Sequence, residues 1–170
     1  EQMGRLAAQA LLEGHHRDIG VIELDPNDGE AAPGRRIGCR TYLEQAGIPW
    51  STVHVAVGHG TTRDGYAAAS RLLTDHPWLT GLVCGNDRMA MGAYAAIREQ
   101  GLRVREDVAV IGIDDQELIA DQVHPALTTV ALPFEEMGQV AVSHLLALME
   151  GEEVPAETLL PGTIIRRSSA

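Results

Sequence analysis

Five short apolar runs constrain this chain more than any other feature: "DIGVIEL" (18–24), "VHVAV" (53–57), "TGLVCG" (80–85), "DVAVIGI" (107–113) and "ALTTVAL" (126–132). They are rich in Val and Ile and largely continuous. A strand with one wet face alternates polar with apolar; a strand buried on both faces of a parallel sheet cannot. Between the runs, apolar residues recur at helical spacing: Cys39, Tyr42, Leu43 and Ala46; then Gly65, Ala69, Leu72 and Leu73; then Ala90, Ala93 and Ile97. Thr61 or Thr62 can cap the second of these helices, Pro77 stops it, and Gly101 ends the third. Strands alternating with helices at this spacing predict an α/β fold, a parallel sheet with helices on both faces. Two further apolar helices, 3–14 and 134–149, lie at the two ends of the sheet-forming block and are expected to stand outside it.

The 170 residues suffice for one domain with its own core. No run approaches the ~18 apolar residues that span a bilayer, so no membrane segment is expected. The net charge of −11, with 24 carboxylates against 13 bases, argues against this segment gripping a polyanion. All the bases are Arg. The opening "EQMGRLAAQALLEGHH" is amphipathic, lacks the basic start of a signal peptide and has no initiator Met, so it reads as part of a longer protein. Cys39 and Cys84 match no C-x-x-C spacing; reduced, buried thiols are expected, with a disulfide between them left open.

Ligands of open α/β sheets bind beyond the carboxyl ends of the strands. There the chain places Arg35-Arg36 after the first run, "GHGTT" after the second, Asn86-Asp87 after the third and Asp114-Asp115 after the fourth. A guanidinium, an amide and a carboxylate suit a small molecule rich in hydroxyl or N–H groups. Each also has a plain structural reading. Asn86 is equally good as a helix N-cap. Asp87 sits where the helix dipole favours an acid, and Asp115 can cap a short helix at 116–120. Arg35 is disfavoured by the dipole at its position, which argues that another interaction retains it. Asp114 is open. His15, His16, His54, His59, His76, His124 and His144 show no metal-binding spacing, and no G-x-G-x-x-G, P-loop or G-x-S-x-G motif follows a strand. Neither metal nor cofactor is expected. An Mg²⁺-dependent reaction at Asp114-Asp115 would usually want a Lys, and the chain has none.

Taken in order, "GRLAAQALLEGHHRDIGVI", "RRIGCRTYLEQAGI", "DGYAAASRLL", "GNDRMAMGAYAAIREQGLRVREDVAVIGIDD" and "HPALTTVALPFEEMGQVAVSHLLALMEGE" resemble the effector-binding domains of lac/gal-repressor-type bacterial transcription regulators. The resemblance runs from about residue 3 to the C-terminus and is specific only in combination. It implies a periplasmic-binding-protein-like core of two α/β subdomains, with the effector between them and a DNA-binding headpiece before them. On that pattern, 18–131 and the C-terminal strand region form the C-terminal subdomain. The helices 3–14 and 134–149 are remnants of the N-terminal one, and the headpiece is absent. The effector, a sugar or related polyol, would be held by Arg35, Asn86 and Asp114. Many members stack an aromatic ring on it from five residues before the Gly of "GY"; here that position is Gly60, so His59 beside it is a secondary candidate, as is Phe134. The resemblance further implies a cytoplasmic homodimer that reaches operator DNA through the headpiece and catalyses nothing. Its interface would use Met91, Tyr94 and Arg98 with the segment 116–122. Two other readings stand beside it: a solute-binding protein of transport or chemotaxis, and a hydrolase or phosphotransferase using Asp87, Asp114 and Asp115, for which no nucleophile–base pair is evident.

Overall fold

A computed structural model describes residues 1–27, 29 and 31–170. Each apolar run becomes a strand within a residue or two of its expected ends: β1 (Ile19–Leu24), β2 (His54–Gly58), β3 (Gly81–Cys84), β4 (Ala109–Asp114) and β5 (Thr128–Ala131). A short sixth strand, β6 (Thr163–Ile165), closes the sheet. The order is β2-β1-β3-β4-β5-β6; the first five strands are mutually parallel and β6 runs antiparallel to β5, with Val130 opposite Ile164. β1 pairs with β2 on one side and β3 on the other. The winding therefore reverses between β1 and β3, and a crevice opens there at the carboxyl edge.

The helices are α1 (Gln2–Glu13), α2 (Ala31–Gln45), α3 (Thr62–Asp75), α4 (Asp87–Glu99) and α5 (Phe134–Met149). They sort the core into two layers. On one face, α3 and α4 bury Leu72, Leu73, Met89 and Ile97 against Ile22, Leu82 and Val110. On the other, α1 and α2 bury Ala7, Leu11, Cys39 and Leu43 against Ile19, Val21, Val83 and Ile111. α1 crosses α2 so closely that a Cβ on Gly4 would lie 1.8 Å from the Arg35 carbonyl oxygen. Cys39 and Cys84 lie in different layers, both as free thiols, so the disulfide left open by the sequence does not form. Burial pushes the Cys39 thiol up to about 12 and raises that of Cys84 as well, which keeps both protonated and inert.

The two helices expected to stand apart behave differently. α1 is built into this sheet's core, because Ala7, Ala8, Ala10 and Leu11 all face strands and α2. α5 buries nothing: Val142, Leu145, Leu146 and Leu148 are each more than half exposed. The helix expected at 116–120 is also replaced. The N–H groups of Ile119 and Ala120 both reach the Gln116 carbonyl, which makes successive turns and no helix. No described helix is long and apolar enough to cross a membrane.

Candidate functional site

Arg35 sits in the second turn of α2, where its charge opposes the helix dipole. What retains it is a bridge from α2 to the ends of two strands. Its Nη2 donates to Asp114 Oδ1 at 2.7 Å, at the end of β4, and its Nη1 donates to the carbonyl of Gly85, just past β3. Both side chains are about six-sevenths buried (15% and 14% exposed), so the pair is partly desolvated and stronger than a surface ion pair. Gln116 Nε2 lies 3.4 Å from the other Asp114 oxygen. Asp114 and Asp115 have φ values of 119° and 55°, a conformation that costs non-glycine residues energy and is held only where the surroundings insist on it. Asp115 does not cap a helix. Its carboxylate pairs with Arg167 at 2.7 Å and ties down the chain after β6.

Asn86 and Asp87 hold different parts of the scaffold. Asn86 is 4% exposed; its Oδ1 accepts from the Met89 N–H at 2.9 Å and its Nδ2 donates to the Gly60 carbonyl at 3.0 Å. It is the N-cap of α4, with the amide committed to scaffold on both sides. Asp87, read from the sequence as a dipole partner, does lie in the first turn, but it also reaches into the core. It accepts from Thr129 Oγ1 at 2.6 Å and from the Gln116 N–H at 2.7 Å, joining α4, β5 and the turn after β4. Gly112 makes room, since a Cβ there would lie 2.1 Å from Asp87 Oδ1. Burial pushes the Asp87 carboxyl up to about 6, against the pull of its two hydrogen bonds.

His59, beyond β2, lies on the same edge. Its Nδ1 is 3.8 Å from Asp25 Oδ2, and its N–H donates to Asp64 Oδ2 at 3.3 Å. Gly60 explains why no aromatic ring occupies the neighbouring position. Its φ is +73°, and a Cβ would crowd Asn86 Nδ2 at 3.2 Å. Phe134 opens α5 beyond β5 and is 58% exposed. Two residues at this edge went unremarked in the sequence. Asp25 follows β1 and accepts from the N–H and Nδ2 of Asn27, both at 2.8 Å; the Asn27 N–H in particular lowers its carboxyl. Glu23, within β1, is 5% exposed and 3.4 Å from Arg36 Nη1. The signals were the D-P-N turn after the strand and a lone Glu inside an apolar run.

The stripe expected at an interface divides. Met91 is half-buried and Arg98 exposed, but Tyr94 is 2% exposed and its hydroxyl donates to the Pro125 carbonyl at 2.9 Å. Arg98 donates to the His124 carbonyl, so it also clamps this loop. Tyr94 is therefore a core residue: the 124–125 loop folds over the face that the sequence left open. Leu118, 85% exposed in the turn after β4, is the apolar side chain left outside. Among the described residues no group of three or more His, Cys, Asp or Glu side chains is arranged to hold a metal ion.

The periplasmic binding protein-like domain family matches residues 8–170. The chain is 39% identical over 171 residues to an HTH-type transcriptional repressor PurR of Yersinia pestis bv. Antiqua (strain Antiqua), an alignment covering 98% of this chain and 49% of the relative. The chain thus spans about half the length of the curated relatives it matches. Among solved structures, a transcriptional regulator CelR–cellobiose complex superposes with a TM-score of 0.92 at 34% identity, covering 99% of this chain and 51% of that one. The dimeric Lac repressor with an 11-residue C-terminal deletion superposes at 0.91 and 31% identity, covering 98% and 60%. A matched family over nearly the whole length and a sheet with one reversal of winding agree: this chain belongs to the periplasmic binding protein-like domain family, in the form that LacI-family proteins carry.

Proposed function

We propose that this chain is the C-terminal half of a cleft that senses a small molecule, a sugar or related polyol, in a cytoplasmic regulator that reaches operator DNA through a separate headpiece. The observation that carries this reading is the Arg35–Asp114 pair, held between α2 and the ends of β3 and β4 beside the point where the winding reverses. Such a pair offers N–H donors and carboxylate acceptors in fixed positions, which suits hydroxyl recognition. CelR was solved with cellobiose, which supports a carbohydrate. Asn86 would act on the effector through its hold on Gly60 and the N-terminus of α4, and His59 and Phe134 would stand at the margins of the cleft. No catalysis is proposed. The other half of the cleft would be an N-terminal subdomain, and the bare apolar face of α5 is the surface it would cover. Association of two such regulators would use Met91 and the exposed Leu118, with Arg98 at the rim; residues of these types are enriched at interfaces or bury well there.

The test is effector titration by calorimetry in the intact regulator, against a panel of sugars and polyols. Asp114→Ala should weaken binding by about 1–3 kcal/mol through the loss of charge-assisted hydrogen bonds. An unchanged titration would make Asp114 purely structural and remove the site.

A further inference from the structure

The Arg35–Asp114 bridge conceals a second feature. Behind it, between α2 and the sheet, lies a small cavity of about 20 Å³, room for a single small polar group, whose lining includes Arg35 and Gly85. Its walls are apolar, formed by Val21, Val83, Ile113 and Cys39. One charged group stands deep within it. The side chain of Glu23 is 4% exposed; its Oε2 faces Arg36 Nη1 at 3.4 Å, and its Oε1 has no hydrogen-bond partner. An unmatched carboxylate oxygen in an apolar cavity is costly unless something donates to it.

The surrounding charges show what that donor can be. Arg35 is taken up by Asp114 and the Gly85 carbonyl, Arg36 faces Glu23, Arg167 is paired with Asp115, and His59 stands beside Asp25. The two Arg side chains that line the cavity are thus already engaged, while Glu23 Oε1 stands there as a surplus acceptor. We propose that the cavity behind Arg35 is a donor-reading subsite, in which Glu23 accepts a hydrogen bond from a hydroxyl or ammonium arm of a neutral or cationic effector, and that the site refuses anionic ones. This rests on the reading of the cleft as an effector site and deepens it.

The experiment follows the methyl resonances of Val83 and Ile113 while the protein is titrated with methylammonium, methanol and formate in turn. At least one of the two donor probes should give a saturable shift at these methyls; methylammonium alone would specify a charged arm, and methanol alone a hydroxyl. Formate should give none. Glu23→Leu, which keeps a strand-compatible apolar side chain, should weaken the donor response at least tenfold, and Glu23→Gln, which keeps an acceptor, should retain part of any methanol response. A saturable formate shift, no response to either donor, or equal responses in Glu23→Leu would each overturn the proposal. Asp114→Ala separates it from the broader reading. If that variant loses effector binding while the methyls stay silent to both donors, only the subsite falls. If the methyls respond but Asp114→Ala binds effector normally, the cleft assignment falls instead.

Discussion

Asp87 illustrates how one side chain can hold a site together without touching a ligand. Its two acceptor bonds fix β5 and the turn after β4, which in turn set the backbone of Asp114. Gly112→Ala would force a methyl into the space of Asp87 Oδ1, and the strain should cost about 1–3 kcal/mol in urea unfolding. A wild-type-like midpoint would show that the network can shift freely. The same carboxyl gives a pH signature. Folding raises it from an ordinary 3.8 to about 6, so the folded state prefers the protonated form. The stability it contributes is complete below about pH 4 and is lost as pH rises through about 6. Carboxyls that folding lowers, such as Asp107 at about 2, act below that window and in the opposite sense. Stability measured from pH 4 to 7 should therefore carry a downward component that Asp87→Asn removes; an identical slope in the variant would place the titration elsewhere. None of this was legible in the sequence. "ND" at a strand end gives the residue types, but which of the two caps and which turns inward depends on Gly60 and Thr129, 26 residues before Asn86 and 42 after Asp87.

The apolar helices α1 and α5 carry similar patterns and have opposite fates. Leu11→Ala in α1 empties a fully buried site and should cost about 2–5 kcal/mol, whereas Leu145→Ala in α5 should change stability by less than about 0.5 kcal/mol. Parallel urea titrations check both, and a large loss at Leu145 would mean that α5 packs on the sheet after all. This contrast marks where the sequence was informative. The strands were legible because burial on both faces forces a continuous apolar run, and the Arg35–Asp114 pairing was foreshadowed by an Arg placed against its own helix dipole. Periodicity shows that a helix has an apolar face, though not which surface will cover it. That is why 3–14 and 134–149 looked alike, and why Tyr94 looked like a surface residue until the 124–125 loop was seen to fold over it.

For the molecule as a whole, the acidic balance and the exposed Leu118 lead to two expectations. This chain alone should give no salt-sensitive mobility shift with DNA, since 24 carboxylates face 13 Arg; a shift that weakens with salt would contradict its reading as an effector domain. In the intact regulator, Leu118→Glu should move sedimentation toward monomer, and an unaltered dimer would place the interface elsewhere. Beyond β6, the Arg167 N–H donates to Thr128 Oγ1 at 3.0 Å, while Ser169 Oγ accepts from the Thr128 N–H and donates to the Val110 carbonyl. Residues 163–170 are thus laced onto β4 and β5, while α5, the helix between β5 and β6, buries nothing. In a designer's terms, the stretch from 133 to 162 is an insert spliced between two anchored ends. A Glu-specific protease cutting after the exposed Glu152, Glu153 or Glu157 should leave both fragments in one particle on size exclusion. The sheet would then accept another cassette at that splice, because its own integrity does not pass through the one that is there.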